Sequence, residues 1–151
     1  MKKLIAVVLT LVCALGLVGC SNNQKNPVTL SFNGQHEYFV ISNGVIILNE
    51  KEEVFEGGDL EVVQPDIFAD VTSFYTTFYT AKNGEKHIIQ SNSVINQTGG
   101  AVNINGDLGK IAGADIISRE IENIDNLWFE LKTTDLNGKE NVYQLQLTLT
   151  D

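Results

Sequence analysis

The sequence predicts an all-β protein, an antiparallel β-sandwich. Three observations carry this. Runs rich in Val, Ile, Thr, Tyr and Phe recur along the chain from Val28 onward. Turn signals punctuate them: Asn-Gly falls at 33–34, 43–44, 83–84, 105–106 and 137–138, and this dipeptide supplies the positive φ angles of tight hairpins. Many short strands with frequent turns suit a sandwich or a barrel.

In chain order, the candidate strands are Thr29–Phe32, Glu37–Ile41, Val45–Asn49, Leu60–Val63, Val71–Ala81, Lys86–Ser91, Ala101–Ile104, Leu127–Thr133 and Asn141–Thr148. Ile116–Ile124 alone has a competing helical spacing, with Ile117, Ile121 and Ile124 on one face, and reads as helix or strand. The last hairpin is specified further. A two-residue turn at Asn137-Gly138 sets Asp135 opposite Glu140 and Glu130 opposite Leu145. A three-residue loop, Leu136-Asn137-Gly138, instead sets Asp135 opposite Lys139, Leu131 opposite Tyr143, Phe129 opposite Leu145 and Leu127 opposite Leu147. Only the second register separates apolar from polar faces, with Gly138 in the left-handed position of a bulged type I loop.

The first residues differ in kind. Met1-Lys2-Lys3 leads into an apolar run from Leu4 to Leu15, the layout of a secretory leader and short of the roughly 20 residues a membrane span needs. Leu17-Val18-Gly19-Cys20 follows and resembles the lipobox of bacterial lipoproteins. The resemblance implies a diacylglyceryl group on the Cys20 sulfur and cleavage before Cys20. The expected organisation is a signal peptide at 1–19, a lipidated cysteine and polar tether at 20–27, and a β-sandwich domain at 28–151. Two acyl chains anchor stably where one is marginal. The seven residues from Ser21 to Pro27 reach roughly 25 Å when extended, at about 3.5 Å each. The expected location is the extracytoplasmic side of the bacterial cell membrane.

Of the 151 residues, 132 remain after cleavage, which suits one domain with its own core. Loss of Lys2 and Lys3 takes the ten basic residues to eight against nineteen acids, a mature net charge of −11. No basic cluster offers a face to phosphates, so nucleic acid is not an expected partner. The same charge repels anionic headgroups, so the domain stands off the membrane on its lipid. The only other cysteine, Cys13, lies in the leader, and domain stability must come from packing.

The segment Asn126–Leu149, with "ISNGVIILN" at 41–49 and "FEGGDL" at 55–60, resembles small uncharacterised lipoproteins of Gram-positive bacteria that are similar to immunoglobulin-like sandwiches. The resemblance implies an immunoglobulin-like fold and carries no activity.

Motifs for catalysis are missing. No Gly-x-Ser-x-Gly occurs. Gly57-Gly58 and Gly99-Gly100 precede no Lys-Ser or Lys-Thr. "HEYF" at 36–39 begins like a zinc-protease helix, but the second ligand position holds Val40, and His36 and His87 read as solvated strand residues. "NINGDLG" at 103–109 has a loose calcium-loop flavour through Asn105 and Asp107, without the repeated acids or the terminal Glu. Glu50, Glu52 and Glu53 around Lys51 read as a solvated turn. No enzyme, cofactor or metal is expected.

One stretch asks for more. In "VTSFYTTFYT", 71–80, Phe74 and Phe78 share one strand face while Tyr75 and Tyr79 share the other. Two aromatic faces mean a strand covered on both sides, a partner surface, or a platform for sugar rings. Tyr75, Tyr79 and Trp128 are the candidate ligand-binding residues. The expected function is a non-catalytic binding or structural module of the cell envelope, with a cell-wall glycan or a surface protein as partner. The alternative is a small antiparallel barrel that encloses an apolar ligand.

Overall fold

Two antiparallel sheets pack face to face in the computed structural model, which describes residues 27–49, 51–114, 117 and 126–150. The leader, Cys20 and nearly all of the Ile116–Ile124 segment lie outside the described residues; Ile117 alone is placed there, and it is buried. The strands are β1 (Val28–Gln35), β2 (Phe39–Leu48), β3 (Glu53–Glu56), β4 (Asp59–Val62), β5 (Val71–Lys82), β6 (Glu85–Ile95), β7 (Gly106–Asp107), β8 (Lys110–Gly113), β9 (Leu127–Asp135), β10 (Glu140–Gln146) and β11 (Thr148–Thr150). One 3-10 turn, Pro65–Phe68, precedes β5.

One sheet runs β11-β1-β2-β3-β8, with β4 on β2 and β7 on β4; the other runs β10-β9-β5-β6. The expected sandwich is the observed architecture. The two sheets are separate, so the closed barrel of the alternative reading does not form. The space between them is filled instead: every one of the seven phenylalanines is buried. Phe32 stacks on Phe55 with centroids 5.3 Å apart, and Phe78 meets both edge-on and lies 5.0 Å from Phe129. Such offset and edge contacts suit the ring quadrupole. Phe74 and Phe78 face this core as the alternation in 71–80 requires.

The closing hairpin has the three-residue loop. Tyr143 pairs with Leu131 and Leu145 with Phe129. The Asp135 N–H donates to the Lys139 carbonyl at 3.1 Å, and the Leu147 N–H to the Leu127 carbonyl at 2.9 Å. Gly138 has φ 77°, and its N–H closes the type I turn on the Asp135 carbonyl at 3.0 Å. Asn83-Gly84 is the other Asn-Gly hairpin, with φ 52° and 84° and Lys82 paired to Glu85.

The remaining three Asn-Gly pairs do not reverse the chain. Asn33-Gly34 sits at a bulge in β1. Asn105-Gly106 leads into β7. Asn43-Gly44 lies within β2, which joins the expected strands 37–41 and 45–49 into one. There β2 changes partner, from β4 at Ser42 to β3 at Val45. Gly57-Gly58 lies opposite, and Gly58 at φ 75° comes so close to Ser42 that a Cβ would stand 2.1 Å from its carbonyl oxygen. Both chains bend together, and only glycine permits that approach.

Other expectations are corrected. Glu37 lies in the β1–β2 turn. Ala101–Ile104 is not a strand; a single bond, Val102 N–H to Val71 carbonyl at 2.8 Å, ties it to β5. Glu53 is not solvated: it is buried in β3, and its carboxylate accepts the Ile117 N–H at 2.5 Å. His36 is not on a strand; it is half-buried in a turn and stacked on Phe39 at 4.8 Å. The expected last strand breaks at Leu147, where the chain leaves one sheet and enters the other as β11.

Candidate functional site

Tyr75, Tyr79 and Trp128 share the outer face of the four-stranded sheet. Tyr79 pairs with Trp128 across β5 and β9, and Tyr75 with Lys132. The structure brings two of the three together. The Tyr79 and Trp128 rings stack at 6.5 Å with planes 15° apart, while Lys86 Nζ sits 4.5 Å over the Tyr79 ring. Lys86 also pairs with Glu130 at 2.5 Å, and Gln144 donates to the same carboxylate oxygen at 2.7 Å. Tyr79 is thereby only 4 % exposed and offers no open face. Burial raises its pKa, against the opposing pull of Lys86. Burial also pushes Glu130 upward, but bonds from Lys86 and Gln144 outweigh it and hold the carboxyl below its ordinary value. Tyr75 is 42 % exposed, four residues and about 13 Å along the strand from Tyr79. An open three-ring platform is therefore not formed.

The Asn103–Gly109 segment uses its side chains on the backbone. Asn105 Oδ1 accepts the Val62 N–H, and Asp107 Oδ1 the Gly109 N–H.

A groove of about 510 Å³ opens at one end of the sandwich. Its lining comes from three separated segments: Tyr38 after β1; Asp66, Ile67, Asp70 and Val71 around the 3-10 turn; and Asp135, Lys139, Asn141 and Tyr143 of the β9–β10 hairpin. Backbone bonds fix the walls. The Tyr38 carbonyl accepts the Val63 N–H at 2.9 Å, and the Asp70 carbonyl accepts the Leu136 N–H at 2.9 Å. Behind the groove stands an aromatic cluster. Tyr143 meets Tyr38 at 5.7 Å and 87°, Phe68 at 5.5 Å and His36 at 5.8 Å. His36 Nδ1 accepts the Tyr38 N–H at 3.3 Å, which orients the ring. Burial, with Tyr38 beside it, raises the Tyr143 pKa against the opposing pull of a hydrogen bond with Thr133.

Electrostatically the groove is acidic, with three carboxylates and one ammonium. Asp135 Oδ1 is engaged by the Asn137 and Lys139 N–H groups at 2.8 and 3.0 Å. Sequence reasoning missed this site because its parts lie far apart in the chain. A partial signal existed in "PDIFAD", 65–70, where two acids flank three apolar residues right after a proline.

Comparison with protein-family models, curated proteins and solved structures finds no match to this chain.

Proposed function

We propose that this chain is a lipid-anchored, outward-facing, non-catalytic binding module of the bacterial cell envelope, held to the membrane through Cys20. Its partner is another envelope component, a cell-wall glycan or a surface protein. Its two facing antiparallel sheets are of the general kind that immunoglobulin-like binding domains use.

One observation carries the reading. β1 starts at Val28, just after the expected tether, and ends at Gln35, just before Tyr38. The strand spans about 23 Å. The groove therefore sits at the end of β1 remote from the anchor. A domain tethered by residues 20–27 would present it away from the membrane. The acidic surface supports the same orientation, since it disfavours lying down on anionic lipid.

The test is metabolic labelling with an alkyne fatty acid in a bacterial host, followed by fractionation. The wild-type chain should carry label and sediment with membranes, and Cys20→Ala should lose both. An unlabelled wild type that fractionates like Cys20→Ala would overturn the anchor.

A further inference from the structure

Five Asn-Gly pairs punctuate the chain, and the pair has a chemistry of its own. The glycine nitrogen can attack the asparagine side-chain carbonyl, since glycine carries no side chain to stand in the way. The fold decides where that attack has room. It requires rotation about the asparagine Cα–C bond and a glycine N–H that can leave its partner.

Four pairs are held. Asn43 and Asn83 have φ 60° and 52°. In that left-handed region ψ is near +45°, which sets the next nitrogen about 165° from Cβ around the Cα–C bond, almost opposite it. Asn43 is tied further by its side-chain N–H to Asp59 Oδ2 at 2.8 Å, and Gly44 is wedged against Phe32. Asn83 cannot rotate while its two-residue hairpin stands, because both central residues must stay left-handed and Lys82 pairs with Glu85 directly behind them. Asn105 has both amide atoms engaged: Oδ1 accepts the Val62 N–H at 2.6 Å, and Nδ2 donates to Asn103 Oδ1 at 3.0 Å. Asn33 lies in β1 between β11 and β2, and Gly34 packs on Leu145 and Leu147.

Asn137 has none of these restraints. It is exposed at the tip of the β9–β10 loop, and its side chain makes no hydrogen bond among the described residues. It is the second central residue of a type I turn, where ψ is near 0° and the next nitrogen stands about 120° from Cβ. Nothing lies within 4 Å of a Cβ at Gly138, and a single bond, to the Asp135 carbonyl at 3.0 Å, restrains its N–H. The base of the loop is held separately: the Asp135 N–H donates to the Lys139 carbonyl, and the Lys139 N–H to Asp135 Oδ1. The tip can therefore open without unzipping the strands.

We infer that Asn137 is a modification site, the asparagine at which the folded chain deamidates first. The Gly138 nitrogen bonds to Asn137 Cγ and gives up its proton. The Cγ–Nδ2 bond breaks, and the side-chain nitrogen leaves with that proton as ammonia. Water then opens the cyclic imide. Opening at Cγ leaves aspartate; opening at the backbone carbonyl leaves isoaspartate, with the chain running through Cγ. Both products add a negative charge to the loop, and isoaspartate also lengthens it by one carbon. The site depends neither on the partner of the domain nor on its lipid.

The full chain is aged in warm, weakly alkaline buffer with non-ionic detergent, and a parallel sample in guanidinium chloride. Digestion and mass spectrometry then give the conversion at each Asn-Gly pair. Unfolded, the five pairs should react within about threefold of one another, since each has the same local chemistry. Folded, Asn137 should outpace each of the others by at least about fivefold, because only its opening is local. The intact Asn137→Gln chain should lose the early mass gain. Asn83, or any other pair, reacting as fast as Asn137 in the folded chain would overturn the assignment. So would an Asn137→Gln chain that gains mass at the wild-type early rate.

Discussion

Tyr79 and Trp128 lie nearly parallel on adjacent strands, 6.5 Å apart, and Lys86 closes over Tyr79 while bonded to Glu130. The arrangement turns an exposed sheet face into a small covered cluster. Glu130 has a folded-state pKa below its ordinary 4.5. Its contribution to stability is therefore complete above that ordinary value and is lost as pH falls through the lowered one. Lys86 is raised above 10.5 by its bond to Glu130, against partial burial, so its contribution is present below 10.5 and lost as pH rises through the raised value. Glu130→Gln should destabilise the domain by about 0.5–1 kcal/mol at neutral pH. In urea denaturation at stepped pH, the gap to wild type should close below pH 4.5. A gap that persists at pH 2 would show that packing, not charge, is lost.

Gly44 is a steric necessity. A Cβ there would stand 2.1 Å from the Phe32 ring. Gly44→Ala should cost about 3 kcal/mol or more, the upper range for overpacking. Phe32→Leu in the same chain should recover part of that loss. Denaturation of the two single variants and the double variant gives the coupling. Strict additivity would mean that the backbone at 43–44 yields instead of the ring.

Gly138 is needed for a different reason. Nothing lies within 4 Å of a Cβ there, but φ is 77°. Gly138→Ala should therefore cost about 1–2 kcal/mol, with the pairing of Leu131 and Tyr143 intact. Asn137→Ala, one residue earlier and outside the left-handed region, should cost less than half as much. Thermal melts check the cost, and cross-strand proton contacts check the register.

Trp128 is not a reporter for the groove. It is paired with Gln146 on the outer face, and seven residues, or about 23 Å of strand, separate it from Asp135. Its emission should stay within about 2 nm of the free value while a groove ligand shifts the Tyr38 and Tyr143 ring signals. A coincident blue shift of Trp128 would place the ligand on the sheet face.

The contrast between Asn137-Gly138 and Asn43-Gly44 explains what was legible in the sequence. Around the first, both flanking runs alternate cleanly, so one register alone buries Leu127, Phe129 and Leu131 together. Around the second, the flanking runs are equally apolar, and a left-handed Asn serves a bend as well as a turn. What decides between them is Gly57-Gly58 on a different strand, a tertiary partner that local pattern does not reveal. Tyr75 and Tyr79 show the same limit. Alternation placed them on one face, but Lys86 and Trp128 determined that only Tyr75 stays open. The groove was invisible for the same reason: Tyr38, Asp70 and Asp135 become neighbours only when the sheets pack.

The passage of the chain through Leu147 governs the order of events in folding. β10 completes one sheet and β11 the other, and β11 lies against β1, with Thr150 opposite Ser31. β1 thus waits for β11, roughly 120 residues later, before its outer edge is paired, which makes closure dependent on long-range contacts and slow. Until then β1 has an open edge that invites the wrong neighbour. A chain that lacks β11 would keep that edge for good, and its damage would appear as aggregation during folding.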